Sequence, residues 1–432
     1  MAAGTIATRD AAMDTPGESR RNLLRREVHI GPALAAISRR RVEVILGLGV
    51  LFRVVQYLAN RSYWLDEGSL GANITRKRLG DVLGVLSHTQ LAPPGFLVVE
   101  WVAYRTLGDN PFALRLFPLV CGIASLFLYL GVARHLLRPR SVWIAVALFA
   151  VSDDLIYFAS ELKQYSTDVA AGLVCTLMGM QMLARPSTRG RIVALAAAGA
   201  TIVWFSHPSV FVLAGVGTVL LASAAAERGW RGARLPSALG LVWGASFAAV
   251  YAVSMEQLGH RRDMWGFWEF AFPPMPPASL WDATWLFRRL MYLFVNPLNF
   301  ETPLGARLSA LPALGLFVAG CLSSAKRDKA RFGMLALPFL FVLLASCLRL
   351  YPFHGRLVLF LVPSLLLLVA EGAGWFREAF GGGVTWAFLL GSLLLFPSLG
   401  AFYHLVEAHD RGDFSPYGDR RPAHLDPYRF PF

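Results

Sequence analysis

Charge is scarce in this chain: 16% of its 432 residues are Asp, Glu, Lys or Arg, against about 25% in soluble domains. With 55% hydrophobic residues and a mean hydropathy of +0.49, an ordinary soluble fold is excluded. Alternation of polar and apolar residues is lacking too. The apolar runs are long and continuous, which excludes a membrane β-barrel. Cysteine is sparse: Cys121, Cys175, Cys321 and Cys347 all fall inside apolar runs, none at metal-ligand spacing. They read as small core residues rather than as a disulfide framework or a zinc site. There is no Gly-rich phosphate loop and no nucleotide fingerprint, so a soluble nucleotide donor has no visible site.

What is present is an all-α, polytopic helical membrane protein. A span needs about 20 apolar residues, and segments 43–60, 113–134, 141–158, 166–184, 191–206, 209–226, 235–255, 304–323, 332–350, 356–375 and 384–402 qualify. Segment 91–107 is ambiguous, because it opens on Pro93-Pro94 and carries Glu100 and Arg105. The charges resolve it. The net charge of +13 is concentrated in short loops at Arg134/Arg138/Arg140, Arg185/Arg189/Arg191, Arg228/Arg231/Arg234 and Lys326/Arg327/Lys329/Arg331. If 91–107 lies on the outer surface, all four loops fall on the side of the basic N-terminus, as the positive-inside rule requires. That placement also argues against nucleic acid as the basic residues' partner. About 11 transmembrane helices follow, with juxtamembrane helices at the outer surface. Residues 1–42 are expected as a basic cytoplasmic tail, 43–402 as the membrane domain and 403–432 as an outer-face tail.

This topology, drawn from arginines, sends three polar motifs to one face. The first is Trp64-Leu65-Asp66-Glu67, paired carboxylates beside an interfacial aromatic pair, Tyr63-Trp64. A partly desolvated carboxylate there serves as a general base for a hydroxyl, and Asp66 is the expected base. Adjacent helical residues point about 100° apart, so one acid faces the site while the other pairs with a cation or a metal. The second is Glu161-Leu162-Lys163-Gln164-Tyr165, followed by Asp168. On a helix, Glu161, Gln164 or Tyr165, and Asp168 share a face, and Lys163 is a point charge for phosphate. The third is Tyr351-Pro352-Phe353-His354-Gly355-Arg356, whose arginine either clamps a phosphate or snorkels to headgroups. His88 and Gln90, within Ser87-His88-Thr89-Gln90, are expected along an acceptor groove. His207-Pro208 either contributes to the site or makes a turn. The loop 256–303, with Arg261, Arg262, Arg288, Arg289 and Trp265, Trp268, Trp281 and Trp285, either covers a lipid tail or sugar or packs at the interface.

Tyr63-Trp64-x-Asp66-Glu67, the Pro93-Pro94 surface helix and Asn110-Pro111-Phe112-Ala113-Leu114-Arg115 resemble the GT-C superfamily of membrane glycosyltransferases. Within it, they are most similar to bacterial relatives of the dolichyl-phosphate-mannose protein mannosyltransferases. Glu161 to Ser166 and Tyr351 to Arg356 resemble a bacterial subgroup, and the resemblance runs over residues 43 to 375. It implies a polyprenyl-phosphate sugar as donor, Asp66 as base with Glu67 in support, and donor-phosphate contacts from Lys163 and Arg356. His88, Gln90, Glu161, Gln164, Tyr165, His207 and His354 are the expected substrate-binding set. Where the lipid A aminoarabinose transferase branch has a lysine before Pro-Pro, this chain has Gln90-Leu91-Ala92-Pro93-Pro94. That branch's phosphate lysine and metal site therefore do not carry over: no cofactor is certain, and a divalent metal stays open. The acceptor is a glycan, lipid or protein hydroxyl. The expected setting is a bacterial inner membrane, N-terminus cytoplasmic and site periplasmic. The alternatives are a transporter or flippase for a lipid-linked glycan, or a non-catalytic partner subunit.

Overall fold

A computed structural model describes residues 32–88, 90–184, 188–254, 265–298, 300 and 306–407. Most of the expected N-terminal tail, the C-terminal residues 408–432, Thr89, Arg185, Arg261 and Arg262 lie outside the described residues. The chain divides into two compact units, Met1–Glu43 and Val44–Phe432. In the first, Arg39 and Glu43 form an exposed ion pair at 2.9 Å. The described residues are helical, without strands.

Helix α1 (Pro32–Leu58) leads into two short helices, α2 (Leu65–Arg76) and α3 (Leu79–Leu83). Then comes α4 (Pro94–Leu107), the ambiguous segment of the sequence. Its 14 residues rise about 21 Å, short of the roughly 30 Å hydrocarbon core. Pro94 starts it without forfeiting a needed N–H, and Gly108 ends it at φ 91°, a conformation that suits glycine. Helix α5 (Pro111–Leu136) begins where the Asn110 side chain accepts a hydrogen bond from the Ala113 N–H at 2.9 Å. This cap and Pro111 fix its start. Helix α6 (Pro139–Ala150) and the short α7 (Asp153–Tyr157), extended by a 3₁₀ turn to Ser160, meet at a 60° bend.

Helix α8 (Tyr165–Ala184) is followed by the shorter α9 (Arg189–Ile202) and by α10 (Ser209–Ser254). Helix α10 breaks at Gly229, at φ 59° and ψ −153°. A Cβ on Gly217 would lie 3.5 Å from the Trp243 ring, so the two arms fold back on one another as a helical hairpin. The remaining helices are α11 (Leu280–Ala283), α12 (Trp285–Val295), α13 (Ala306–Arg327), α14 (Lys329–Cys347), α15 (Val362–Phe380, preceded by a 3₁₀ turn over Gly355–Leu361) and α16 (Val384–Glu407). Helices α13 and α15 touch backbone to backbone at Gly320 and Gly372, where any side chain would collide with a facing carbonyl. Among the described residues, six helices are long and apolar enough to cross a membrane: α5, α8, α10, α14, the Gly355–Phe380 unit and α16. The bent α6–α7 pair makes a seventh if it counts as one span.

Two loops expected on the basic side meet around a buried acid. Glu371 accepts hydrogen bonds from Ser323 at 3.0 Å, pairs with Arg327 at 3.1 Å and lies 3.8 Å from Arg138. Arg138 also pairs with Glu378 at 3.0 Å. The side-chain ledger thus ties the 138 and 327 loops to one helix.

Candidate active site

The carboxylates of Asp66 and Glu67 sit in the first turn of α2, and their roughly 100° divergence sends them to different places. Glu67 points inward and is fully buried. Arg115 grips it with Nε at 2.9 Å and Nη2 at 3.0 Å. Arg61 donates at 3.0 Å, the Leu162 N–H at 2.9 Å and the Trp64 N–H at 3.1 Å. Burial raises its pKa, but the guanidinium groups of Arg61 and Arg115 outweigh that and hold it below the usual range. With both oxygens saturated, Glu67 is a structural anchor tying α2, α5 and the 161–163 segment together. It does not line the cavity described next: of the two acids, Glu67 is the one turned away from it to pair with cations.

Asp66 points the other way. Arg356 donates to its Oδ2 at 2.6 Å, and Gln90 Nε2 approaches its Oδ1 at 3.4 Å. Gln90 in turn accepts a hydrogen bond from Lys163 Nζ. One carboxylate therefore meets two cations, one directly and one through an amide. Burial raises the Asp66 pKa, yet Lys163 and then Arg356 hold it below its ordinary value. Lys163 is itself 5% exposed, and burial lowers its pKa although Asp66 opposes the shift. Arg356 also lies over the Tyr165 ring at 5.8 Å.

These groups face a cavity of about 970 Å³. Asp66, His88, Gln90, Lys163, Gln164, Tyr165, His207 and Arg356 all line it, together with Asp168 and Trp64. The opposite wall is apolar: Phe211, Phe247 and Tyr251 from α10, and Phe341, Leu344 and Leu348 from α14 and its end. Trp265, Phe267 and Trp268 add aromatic surface. His207 is kept neutral by burial, its pKa pushed down to about 4, and its Nε2 has no hydrogen-bond partner within the protein.

Two residues of the expected substrate-binding set lie elsewhere. Glu161 does not line the cavity. The helix starts at Tyr165, and Glu161 is extended at φ −116° and ψ 134°, so the shared helical face predicted for Glu161 and Asp168 does not form. Glu161 turns instead toward Arg61, 3.8 Å away. Burial, reinforced by the Glu67 charge, raises its pKa to about 7. His354 is also outside the lining set. It is 4% exposed, stacked on Tyr292 at 4.8 Å, with Nδ1 3.0 Å from Arg289, and burial pushes its pKa down to about 3. It packs the loop that presents Arg356.

Sequence reasoning assigned no role to Arg61, and it cited Arg115 only as part of a motif. Arg61 precedes Glu67 by six residues and Arg115 follows it by 48, so neither position marks the ion pair along the sequence. Among the described residues, no three His, Cys, Asp or Glu side chains converge as a metal-ligand set.

No protein-family model matches the chain, and no curated protein does. Solved structures do match. ArnT from Cupriavidus metallidurans in the apo state has a TM-score of 0.51 at 15% identity, over 84% of this chain and 76% of that one. The same protein bound to undecaprenyl phosphate gives 0.52 at 14%, over 85% and 71%. The archaeal oligosaccharyltransferase AglB from Archaeoglobus fulgidus, in complex with an inhibitory peptide and a dolichol-phosphate, gives 0.49 at 13%, over 86% and 56%. At such identities the similarity is one of fold: the chain shares the fold of ArnT over most of its length.

Proposed function

We propose that the protein is a membrane glycosyltransferase that moves a sugar from a polyprenyl-phosphate donor to an acceptor hydroxyl, with inversion. The carrying observation is the convergence on one cavity of Asp66, Lys163 and Arg356, drawn from three segments far apart in sequence. Asp66 takes the proton of the acceptor hydroxyl, whose oxygen attacks the anomeric carbon. The bond from that carbon to the phosphate oxygen breaks, and polyprenyl phosphate leaves. Lys163 and Arg356 offset the negative charge that gathers on the departing phosphate. The apolar wall from α10 and α14 suits the first isoprene units of the lipid.

The Asp66–Arg356 contact gives the donor a second task. In the ion pair Asp66 is a weak base, because its pKa is depressed. A phosphate that engages Arg356 and Lys163 neutralises the charges that depress it, so donor binding raises Asp66 toward the range where a general base works well. Glu67 holds the backbone that aims Asp66. The basic short loops, placed by the positive-inside rule, support an eleven-span, N-in topology with the site at the periplasmic face of a bacterial inner membrane, and the motif resemblance supports a hexosyl group. The acceptor is a glycan, lipid or protein.

The test is incubation of the purified protein with a panel of polyprenyl-phosphate sugars, followed by mass spectrometry. Release of polyprenyl phosphate that disappears in Asp66→Asn supports the enzyme. Bound lipid-sugar without turnover in either form would sink it and favour a transporter or partner subunit.

A further inference from the structure

The amide of Gln90 stands between an acid and a cation of the cavity, and its orientation is forced. An ammonium group has no acceptor, so the atom that meets Lys163 Nζ is Gln90 Oε1. Its Nε2 therefore turns the other way, toward Asp66 Oδ1 at 3.4 Å and the His88 carbonyl at 3.1 Å. Both amide protons are given to protein acceptors. The backbone around Gln90 is held as well. Asn73, 1% exposed, lies on α2, the helix that carries Asp66. Its Oδ1 accepts the Ser87 N–H at 2.8 Å, and its Nδ2 donates to the Ser87 carbonyl at 3.2 Å. His88 follows at φ 60°, in the left-handed region that histidine tolerates better than most residues, and its carbonyl faces Gln90 Nε2. Beyond Gln90, Ala92 is fully buried and Pro94 begins α4. Helix α2 thus carries Asp66 and also anchors the turn whose side chain touches it.

We infer that Gln90 is a positioning residue: it holds Asp66 by Oδ1, so that Oδ2 is the oxygen that takes the acceptor's proton. The inference rests on the lipid-phosphate-sugar reading above. Before the donor arrives, Arg356 donates to Oδ2 at 2.6 Å, and the carboxylate is fixed at both oxygens. A donor phosphate draws Arg356 and Lys163 toward itself and so releases Oδ2. The terminal torsion of an aspartate is soft, and a carboxylate held by neither oxygen would swing. Neutral Gln90 is drawn to the phosphate far less than the two cations are, so its N–H stays on Oδ1 and keeps the carboxylate aimed. The proton then passes from the acceptor hydroxyl to Oδ2 while the hydroxyl oxygen bonds to the anomeric carbon. The electron pair of the broken carbon–oxygen bond leaves with the phosphate. Gln90 reaches this step only through Asp66, yet the step depends on it, because proton transfer requires hydrogen-bond geometry between base and hydroxyl.

The test follows single-turnover release of undecaprenyl phosphate from its hexosyl ester across pH, with the full chain in nanodiscs. Gln90→Met keeps the length of the side chain and removes its hydrogen bonds. Release should slow about 10–100-fold, the usual cost of a misplaced reacting group, with little change in affinity for the hexosyl ester. Burial raises the Asp66 pKa, while Lys163, Arg356 and the Gln90 amide hold it down. Loss of the amide should therefore move the acid limb of the rate profile to higher pH. Gln90→Glu separates positioning from simple anchorage of Lys163. It gives that buried ammonium a stronger partner, so folding is not at stake, but it sets an acceptor against Asp66 Oδ1. Release should fall at least as far as in Gln90→Met. An unchanged rate in Gln90→Glu, or an acid limb that stays in place in Gln90→Met, would overturn the role. So would a loss in Gln90→Met that appears wholly as weaker binding of the hexosyl ester, the mark of a direct substrate contact. An unaltered protein that releases no undecaprenyl phosphate at any pH would instead bring down the proposed function, and this inference with it.

Discussion

Two acid-centred clusters, far apart along the same helices, look alike in composition and differ in what they leave available. At one, Asp66 meets Arg356 and, through Gln90, Lys163. At the other, Glu371 meets Arg327, Arg138 and Ser323. Arg115, behind the first, and Arg138, in the second, bracket α5. Arg356 and Glu371 lie on one helical unit, Gly355–Phe380, kinked at Val358, and are at most about 25 Å apart at the rise of such helices. Glu371 is fully buried and stands outside the lining of the 970 Å³ cavity, whereas Asp66 is only partly buried and opens on it. An ion pair that joins loops to a helix needs no space beside it. A reacting group does, and space beside the charge is what separates the two regions.

The sharpest break of that comparison is a pair of near-isosteric changes. Asp66→Asn should lower transfer about 10²–10⁴-fold, the usual worth of a general base, with little change in melting temperature. Glu371→Gln should do the reverse, costing about 1–3 kcal/mol as buried partners lose a charged acceptor, while turnover stays within about threefold. Thermal unfolding in detergent and product release by mass spectrometry separate the two; equal losses of activity in both variants would dissolve the distinction.

Next in size is Glu67→Ala. It leaves Arg115, 2% exposed, without its carboxylate and frees Arg61, a loss of about 3–5 kcal/mol for a broken buried pair. Both stability and transfer should fall, since Glu67 aims Asp66 without touching the cavity. A variant that melts normally yet transfers nothing would return Glu67 to the chemistry. Smaller still, Arg356→Ala should weaken undecaprenyl-phosphate binding about 10–100-fold, as expected for one charge-assisted hydrogen bond. Arg327→Ala, at the other cluster, should leave that affinity unmoved.

Much of this division is legible in the sequence. Apolar length marked the helices, and Asp66, Lys163 and Arg356 were singled out as residue types that acid–base and phosphate chemistry require. Arginine count sends the three to one face of the membrane; the cavity they share is a feature of the folded chain. What sequence periodicity could not carry was side-chain direction outside regular helix. The helical face expected to include Glu161 begins four residues later, at Tyr165. The packing of His354 is equally invisible along the sequence, because its neighbours Tyr292 and Arg289 come from a helix some sixty residues upstream. The grip of Arg61 and Arg115 on Glu67 spans 6 and 48 residues, and long-range ion pairs leave no period in a sequence.

The smallest effect concerns Glu161, which belongs to neither cluster's chemistry yet sits between Arg61 and the buried Glu67 charge. Its folded pKa, raised to about 7, exceeds the roughly 4.3 of an unfolded glutamate. The folded protein therefore holds this proton more tightly between those values. Its contribution to stability is full below pH ~4.3 and lost as pH rises through about 7. His207 and His354 oppose it: their folded pKa values, about 4 and about 3, lie below the roughly 6.5 of free histidine, so they add stability as pH rises through that interval. The total profile blurs both, but the difference between the unaltered protein and Glu161→Gln does not, because the histidines are common to the two. Melting temperatures in detergent from pH 5 to 8 should show Glu161→Gln gaining on the unaltered protein as pH increases and levelling off above pH ~7.5. A constant difference across that range would mean that Arg61 keeps Glu161 ionised throughout, and would join it to the saturated anchor around Glu67.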